Sequence, residues 1–512
     1  STLLASSAAS DVYKRQSCFF VYGMVGNYLP GFLQHRGFSL KRIITHLFIT
    51  TEGVIGNPLG VCSTYIFLFI LFGAFLEKTG IGQFFIDLAN ALAGWAAGGP
   101  AKVAVLSSAL QGTVSGSSVS NTVSTGSFTI PMMKSLGYEP EFAGAVEAAA
   151  STGGQIMPPV MGSAAFLISE TCNVPYRELM LIAIIPALLY FTGIWISVHL
   201  EAKRLGLKGL PREKLPKVWP LMRDKGHLIL PLIAIIYLML SGFTITRAAL
   251  LGCAICIIVP YLRKGTRVPF LQIFTALPQA ARSVISVATA CSTAGIIIGM
   301  VTLTGLGQRI GAGIFDLVGN NVFLALVCAM FTSLLLGMGV STTSNYLITS
   351  TIAAPILIKA GIPLLAAHMF CFYFGIVADI TPPVALAAYA GSAIAKGNAF
   401  KTGVNATKLA IAAFLIPYMF ALNPKMIMIG GTFIEALPMI LTAIVGLVGI
   451  GGGFIGYLNG KLSMPLRLLS CAGGLCLVIP GNLTDIIGIV AVAAVFFITR
   501  IENRKAAHAE VK

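Results

Sequence analysis

Charge is what this 512-residue chain has least of. Asp, Glu, Lys and Arg together make up 10% of it, against about 25% in soluble domains. Acids are the scarcer sign, 18 against 34 bases, for a net charge of +16. There are six histidines, none at metal-ligand spacing. No HExxH, no phosphate-binding Gly-rich loop and no Ser/His/Asp grouping is present. These absences exclude metallohydrolase, serine-hydrolase and ATP-hydrolysing chemistry, and the chain reads as no enzyme. Any work it does must draw on an ion gradient. The ten cysteines are scattered through apolar segments. Cys253-x-x-Cys256 sits in the middle of one, without a strand or polar neighbours, so it carries no redox or metal role. The basic residues punctuate apolar runs instead of forming a stripe, which excludes nucleic acid as a partner and suggests orientation signals.

Hydrophobic residues, by contrast, are 56% of the chain. Long apolar runs recur at Phe67–Phe75, Leu179–Val198, Leu228–Leu240, Ala248–Tyr261, Val284–Val301, Leu409–Leu422, Met439–Phe454 and Ile486–Ile498. Many reach or approach the ~20 residues that cross ~30 Å of hydrocarbon. The fold class is therefore an all-α polytopic membrane protein surrounded by lipid.

The chain also states one pattern twice. SGSSVSNTVSTGSFTIPMMKSLG runs on to QIMPPV, and GVSTTSNYLITSTIAAPILIKAG runs on to DITPPV. At one constant offset Ser117 matches Ser341, Asn121 matches Asn345, Pro131 matches Pro355, Gly137 matches Gly361, and Pro158-Pro159 matches Pro382-Pro383. With one residue of slip, Thr79–Gln83 matches Thr304–Gln308. Paired Gly/Pro-broken segments in the two halves of a hydrophobic chain point to a transporter's binding site.

Charge orients the two copies. The loop Glu201–His227 carries eight bases against three acids and belongs in the cytoplasm. The segment Glu170–Glu178, one span earlier, is then outside. Its counterpart in the second copy carries Lys396, Lys401 and Lys408 and is inside by the same rule. Equivalent segments on opposite sides make an inverted repeat. Arg36, Lys41 and Arg42 would fall outside, but Phe38–Thr51 is amphipathic and reads as an interfacial helix. The expected layout is a non-native leader at 1–16, an N-terminal helix and interfacial segment at 17–58, and a first repeat at 59–200. A basic loop with scaffold helices follows at 201–282, then a second repeat at 283–424 and extra C-terminal membrane helices at 425–512.

The candidate site follows from the breaks. Ser115, Gly116, Ser117, Ser118 and Asn121 should interrupt one helical hairpin; Gly337, Gly339, Ser341, Thr342 and Asn345 should interrupt the other. Pro158, Pro159, Pro382 and Pro383 lack amide hydrogens and should break two further helices. Ser151, Thr152, Gly153 and Gln155 lie just before the first pair, and Asp379 and Thr381 just before the second. Unpaired backbone at membrane depth is tolerated only inside protein or along a water-filled cavity. Freed carbonyls and hydroxyls suit a small cation, and helix N-termini suit a carboxylate. Asp379 lies deep in an apolar region, where an acid defaults to a functional hypothesis; it could attract a cation or hold a structural hydrogen bond. Glu147 is similar, but could equally pair with a neighbouring helix.

The strings GGPAKVAV (98–105), SGSSVSN, FTIPMM, GYEPEFAGAVEAAASTGGQIMPPVMG and VPYRELM resemble the large membrane subunit of tripartite ATP-independent periplasmic (TRAP) transporters. More narrowly they resemble the TAXI-type branch, whose membrane subunits are often fused. The resemblance covers roughly residues 20–425. It implies an elevator-type secondary transporter in which two hairpins and two broken helices form a mobile domain inside a scaffold. It implies no organic cofactor, sodium as the coupling ion, a carboxylate-bearing solute, a periplasmic substrate-binding protein as partner and the bacterial inner membrane as location. By motif, 115–118 with Asn121 and 339–342 with Asn345 become the hairpin tips. Fused TAXI permeases carry about four more helices upstream, equivalent to the small subunit, and the chain reads as truncated before them. A binding-protein-independent sodium/divalent-anion symporter of similar architecture is the alternative.

Overall fold

The computed structural model describes residues 16–318, 321–478 and 481–510. Within these residues the protein is helical, with no strand. Seven helices are long and apolar enough to cross a membrane: Asn57–Lys78, Tyr176–Arg204, Ile245–Leu262, Ala276–Thr304, Ala399–Leu422, Phe433–Ile455 and Leu483–Asn503.

The two copies fold alike. The first runs Asn57–Lys78, Ile81–Ala93, a hairpin of Gly99–Gly112 and Ser118–Ser135, a broken helix of Pro140–Gly153 and Ser163–Thr171, and the long helix Tyr176–Arg204. The second runs Ala276–Thr304, Leu306–Val318, a hairpin of Val322–Gly337 and Thr342–Lys359, a broken helix of Leu364–Val377 and Leu386–Ala395, and the span Ala399–Leu422. The re-entering hairpin arms have 18 residues each, and the first halves of the broken helices 14 each. The one-residue slip seen around Thr79 and Thr304 falls at a turn built the same way in both copies. Gly80 and Gly305 both take left-handed backbone, φ 81° and 66°. That region is open to glycine at little cost.

Local chemistry sets the ends. Each re-entering arm begins at a serine, Ser117 or Ser341, whose hydroxyl accepts the backbone N–H three residues on. Such a cap satisfies one of the orphan donors at a helix start. The long helix Tyr176–Arg204 follows Pro175, carries Glu178 in its first turn and Lys203 and Arg204 in its last, and so matches its dipole at both ends. The broken helices stop at Gly153 and Val377, ahead of the proline pairs, because the chain tightens before it reaches them. Both proline pairs contain a cis peptide bond.

The hairpins and broken helices pack on one another at the centre. Lys134 Nζ donates to the Ala395 carbonyl at 2.7 Å, and Asn398 N donates to Glu141 Oε1 at 3.1 Å. Helix Pro140–Gly153 lies directly on Leu386–Ala395, so close that a Cβ on Gly391 would sit 2.5 Å from the Gly144 carbonyl oxygen. The amphipathic helix Leu40–Ile49 buries Ile43 and Leu47 against Met300 and exposes Ile44, Phe48 and Ile49. The loop after Tyr176–Arg204 returns along Ile81–Ala93, with Lys225 Nζ 3.2 Å from Asp87 Oδ2. At the C-terminus, Phe433–Ile455 packs on Tyr176–Arg204, and Met464–Cys476 and Asn482–Glu510 continue from it. Small residues allow the approach, as small residues do between membrane helices: a Cβ on Gly474 would lie 2.7 Å from the Gly446 carbonyl oxygen.

Candidate functional site

The two hairpin tips meet at one acceptor. Asp379 Oδ2 accepts from Ser118 Oγ at 2.8 Å, Gln155 Nε2 at 3.0 Å and Thr342 Oγ1 at 3.1 Å. Ser118 and Thr342 occupy matching positions of the two copies, and so do Gln155 and Asp379, which stand 224 residues apart. Each copy therefore gives one hydroxyl from its hairpin and one side chain from its broken helix. Asp379 is almost fully buried, and three donors on one oxygen are what a buried carboxylate requires.

Around this cluster lies a cavity of about 530 Å³. From the sequence-derived set it is lined by Ser115, Gly116, Ser117, Ser118, Gln155, Gly339, Ser341, Thr342 and Asp379. Its polar remainder includes Gln111, Ser120, Thr343, Ser283, Ser286 and, bonded to each other at 3.0 Å, Glu77 and Gln279. Ile66, Phe69, Ile70, Val160, Met161 and Phe166 supply apolar surface. Among the described lining residues there is no Lys, Arg or His.

The two asparagines stand behind the tips. Asn121 Nδ2 donates to the Ser115 carbonyl at 2.8 Å, tying the tip to its own arm. Asn345 Nδ2 donates to the Gly375 carbonyl at 2.9 Å, in the last turn before the second break. In both, Oδ1 is buried and has no hydrogen-bond partner among the described residues. Buried acceptors without partners are rare and call for an explanation. Glycines make room for these amides: a Cβ on Gly337 would fall 2.0 Å from Asn345 Nδ2, and one on Gly154 would fall 2.9 Å from Asn121 Nδ2. Gly116 packs still more tightly on the first break, where a Cβ would meet the Met161 carbonyl oxygen at 1.9 Å.

The other sequence-derived residues lie outside the cavity lining. Ser151 Oγ donates to Glu147 Oε1 at 3.0 Å. Thr152 Oγ1 and Thr381 Oγ1 each return their proton to a carbonyl one turn earlier, Ala148 and Val377, at 2.8 Å. Gly153 faces the Tyr190 ring. Pro158 and Pro159 shape the break, and the Pro159 carbonyl accepts from Tyr176 OH at 2.9 Å. Pro382 and Pro383 do the same in the second copy, where the Pro383 carbonyl accepts from Tyr389 OH.

Glu147 pairs with neighbouring helices, the second of the two roles open to it in the sequence. It meets no charged partner among the described residues and sits instead in a cage of hydroxyls. Ser108 Oγ donates to it at 2.6 Å, Ser151 at 3.0 Å, and Thr125 and Thr129 also donate to it. Thr125 and Thr129 share one face of the first hairpin's re-entering arm, and that much is legible in their spacing. That Ser108 and Glu147 should face them is a matter of packing. The apolar cavity wall from Asn57–Lys78 was likewise absent from the sequence-derived set, because an apolar helix face carries no local mark of what it encloses.

Two broken helices and two hairpins that converge on a polar centre among apolar spans define a membrane transport protein. Residues 14–434 match the family described as "Tripartite ATP-independent periplasmic transporter, DctM component". The chain belongs to this family. It is 25% identical over 358 residues to the 2,3-diketo-L-gulonate TRAP transporter large permease protein YiaN of Escherichia coli, covering 69% of this chain and 83% of that one. It is 25% identical over 328 residues to the C4-dicarboxylate TRAP transporter large permease protein DctM of Pseudomonas aeruginosa, covering 64% and 76%. It is 24% identical over 378 residues to the isethionate TRAP transporter permease protein DctMQ of Oleidesulfovibrio alaskensis, covering 72% and 56%. The chain is thus a multi-pass membrane permease and not an enzyme.

Proposed function

We propose that this permease, of the TAXI-type branch, imports a carboxylate-bearing solute across the bacterial inner membrane, driven by sodium and fed by a periplasmic binding protein. Small-subunit-type helices complete its scaffold. The observation that carries the sodium reading is the pair of buried, unpartnered Oδ1 atoms on Asn121 and Asn345. Each is an oxygen that can bind a cation, held in the first turn of a re-entering arm beside the hairpin tip, and hard oxygen donors suit a small hard cation. Asn121 with the 115–118 turn would hold one sodium ion, and Asn345 with the 337–341 turn another. Bound there, the ions would supply the positive charge that a carboxylate needs in a cavity whose described lining holds no base. The names of the relatives, among them a C4-dicarboxylate and a 2,3-diketo-L-gulonate permease, support an organic acid as cargo.

Electrical work favours cation coupling. Moving one charge through 100 mV is worth about 2.3 kcal/mol. An anion entering a negative interior must climb that slope, and each sodium ion that accompanies it cancels one charge. The hairpins and broken helices would move as one body against the long scaffold helices, in elevator fashion, with the inverted copies presenting the Asp379 cluster alternately to either side. Uptake into vesicles containing the permease and its small-subunit helices, with loaded binding protein outside, tests this. Uptake should need an inward sodium gradient and the binding protein. A rate that ignores replacement of sodium by choline would overturn the sodium coupling; equal uptake of free solute would overturn the role of the binding protein.

A further inference from the structure

We infer that Lys102 and His199 form a proton-sensitive latch at the cytoplasmic end of the molecule: one proton, taken up by the His199 ring, frees the first hairpin's leading arm from the long helix Tyr176–Arg204. Lys102 lies on that arm, Gly99–Gly112, and is only 5% exposed. Its Nζ stands 3.0 Å from His199 Nδ1 and 5.4 Å from the centre of the Trp195 ring, both on the long helix. A hydrogen bond between two nitrogens needs a lone pair on one of them, so the bonded pair holds one positive charge and not two. An ordinary lysine keeps its proton far more firmly than an imidazole does. The bond therefore runs from an ammonium to a neutral ring whose own proton is on Nε2. A second proton, on Nδ1, removes the acceptor and sets two cations side by side. The basic loop Glu201–His227 begins two residues beyond His199, which puts the pair on the cytoplasmic side.

Among the described residues no acid is placed to neutralise a second charge. The charges that bear on the pair are its own two members and Lys203, all bases. Glu201 is held by Arg204 at 2.6 Å, and Glu139 bears on that same Arg204. Arg177 and Glu178 lie at the far end of the long helix. On the first broken helix, Glu141 accepts from Asn398 N, Glu147 from its hydroxyls and Glu170 from Tyr65 OH. Glu435, on Phe433–Ile455, pairs with Lys425 at 3.0 Å. On Ala399–Leu422, Lys401 and Lys408 are exposed bases, and Tyr418 OH is bonded to Met330 Sδ. The Tyr138 hydroxyl, beside Gly98, is neutral. Water has access: His199 is half-buried, and a cleft of about 340 Å³ follows the next turn of its helix, lined by Ala97, Ala202 and Lys203. The latched arm starts hard against the long helix, where a Cβ on Gly98 would fall 2.4 Å from Ala202 Cβ. It leads to the 115–118 tip, from which Ser118 donates to Asp379. Opening the latch therefore loosens the hairpin that reaches the central cluster.

The test uses the purified full chain in detergent and needs neither sodium nor solute, so its outcome is separate from that of the proposed function. Thermal unfolding is followed from about pH 8 to about pH 5, the range in which an imidazole changes charge. The bond stabilises the folded chain while the ring is neutral and is lost as pH falls and the ring takes its proton. His199→Gln keeps an acceptor for the ammonium and cannot titrate. Over that range its unfolding temperature should fall by about 2 °C less than that of wild type, or show a still larger difference. Lys102→Met keeps an unbranched side chain without the charge and should reduce the acid loss likewise. Nitrogen NMR of the histidine-labelled chain is the second readout. The signal missing from His199→Gln should report a neutral ring with its proton on Nε2 at about pH 8 and a doubly protonated ring at about pH 5. An acid loss in either variant equal to that of wild type would overturn the inference. So would a His199 ring already charged at about pH 8 or still neutral at about pH 5. Should Lys102→Met fail to fold, His199→Gln and the NMR signal decide.

Discussion

Glu147 and Asp379 are both acids buried among helices, and the structure gives them different work. Glu147 is enclosed by four hydroxyls and lines no part of the cavity, whereas Asp379 lines the cavity and joins the two hairpins. The consequences of substitution should differ accordingly. Glu147→Ala strands Ser108, Thr125, Thr129 and Ser151 and leaves a void, which should cost about 3 kcal/mol or more. Glu147→Gln keeps a side chain of the same size that can still accept from the hydroxyls, so it should retain most of the stability; thermal unfolding of the two variants measures the contrast. Asp379→Asn keeps one acceptor oxygen for Ser118, Gln155 and Thr342 but removes the charge. It should fold but lose about 1–3 kcal/mol of stability, as bonds to a charged acceptor become neutral ones, while its uptake falls at least about tenfold, because the cavity loses the buried charge that attracts a cation. Side-by-side unfolding and uptake assays read the two effects apart. The sequence alone marks Asp379 as an acid in an apolar run. It cannot show that the hydroxyl at the same register of both hairpins ends on one of its oxygens, because that bond joins residues 261 positions apart.

At the scale of elements, the breaks were the most legible part of the fold. Serine-asparagine turns and proline pairs at matching positions give two hairpins and two broken helices, and the structure has both sets. The positions of the breaks differ by a few residues from a reading based on proline. The first halves end at Gly153 and Val377, after which the chain keeps right-handed turns, a 3-10 turn over Gly154–Ile156 in the first copy, before the proline pair. The near-silent part was the packing between elements. Gly116 reads in the sequence as an interruption of the first hairpin, and the structure adds a steric demand, since the first break's backbone lies where a side chain would begin. Gly116→Ala should therefore destabilise the chain by about 1–3 kcal/mol through overpacking. Gly60→Ala, at a position with open space around it, should stay within about 0.5 kcal/mol of wild type. Chemical or thermal unfolding of this pair separates close approach from glycine content. The sequence marks Lys396, Lys401 and Lys408 as a basic segment ahead of the apolar run Leu409–Leu422; Lys401 and Lys408 lie on the helix Ala399–Leu409, which continues into Ile411–Leu422. Its apolar stretch was visible and its start was not, since lysines at the end of a span can snorkel to the interface.

At the scale of the whole molecule, two duplicated halves are joined through one centre, the Asp379 carboxylate. If the halves are inverted, the closing turns of the two broken helices lie on opposite faces of the membrane. Asn173 and Lys396 end these helices with the same left-handed backbone, φ 52° and 57°, and both are exposed. In a background lacking the exposed Cys18, Asn173→Cys should be labelled by an impermeant maleimide only from outside intact cells. Lys396→Cys should be labelled only after the inner face is opened. Labelling of both from one side would remove the inversion and with it alternating access by exchange of the two halves. The central claim, that each half contributes a cation site behind its hairpin tip, is tested most directly by sodium titration of the unfolding temperature of the purified chain. Wild type should be stabilised by sodium and not by choline. Asn121→Ala and Asn345→Ala should each lose part of that stabilisation, and the double variant all of it. A wild-type chain indifferent to sodium, or a double variant that responds as wild type does, would contradict the account.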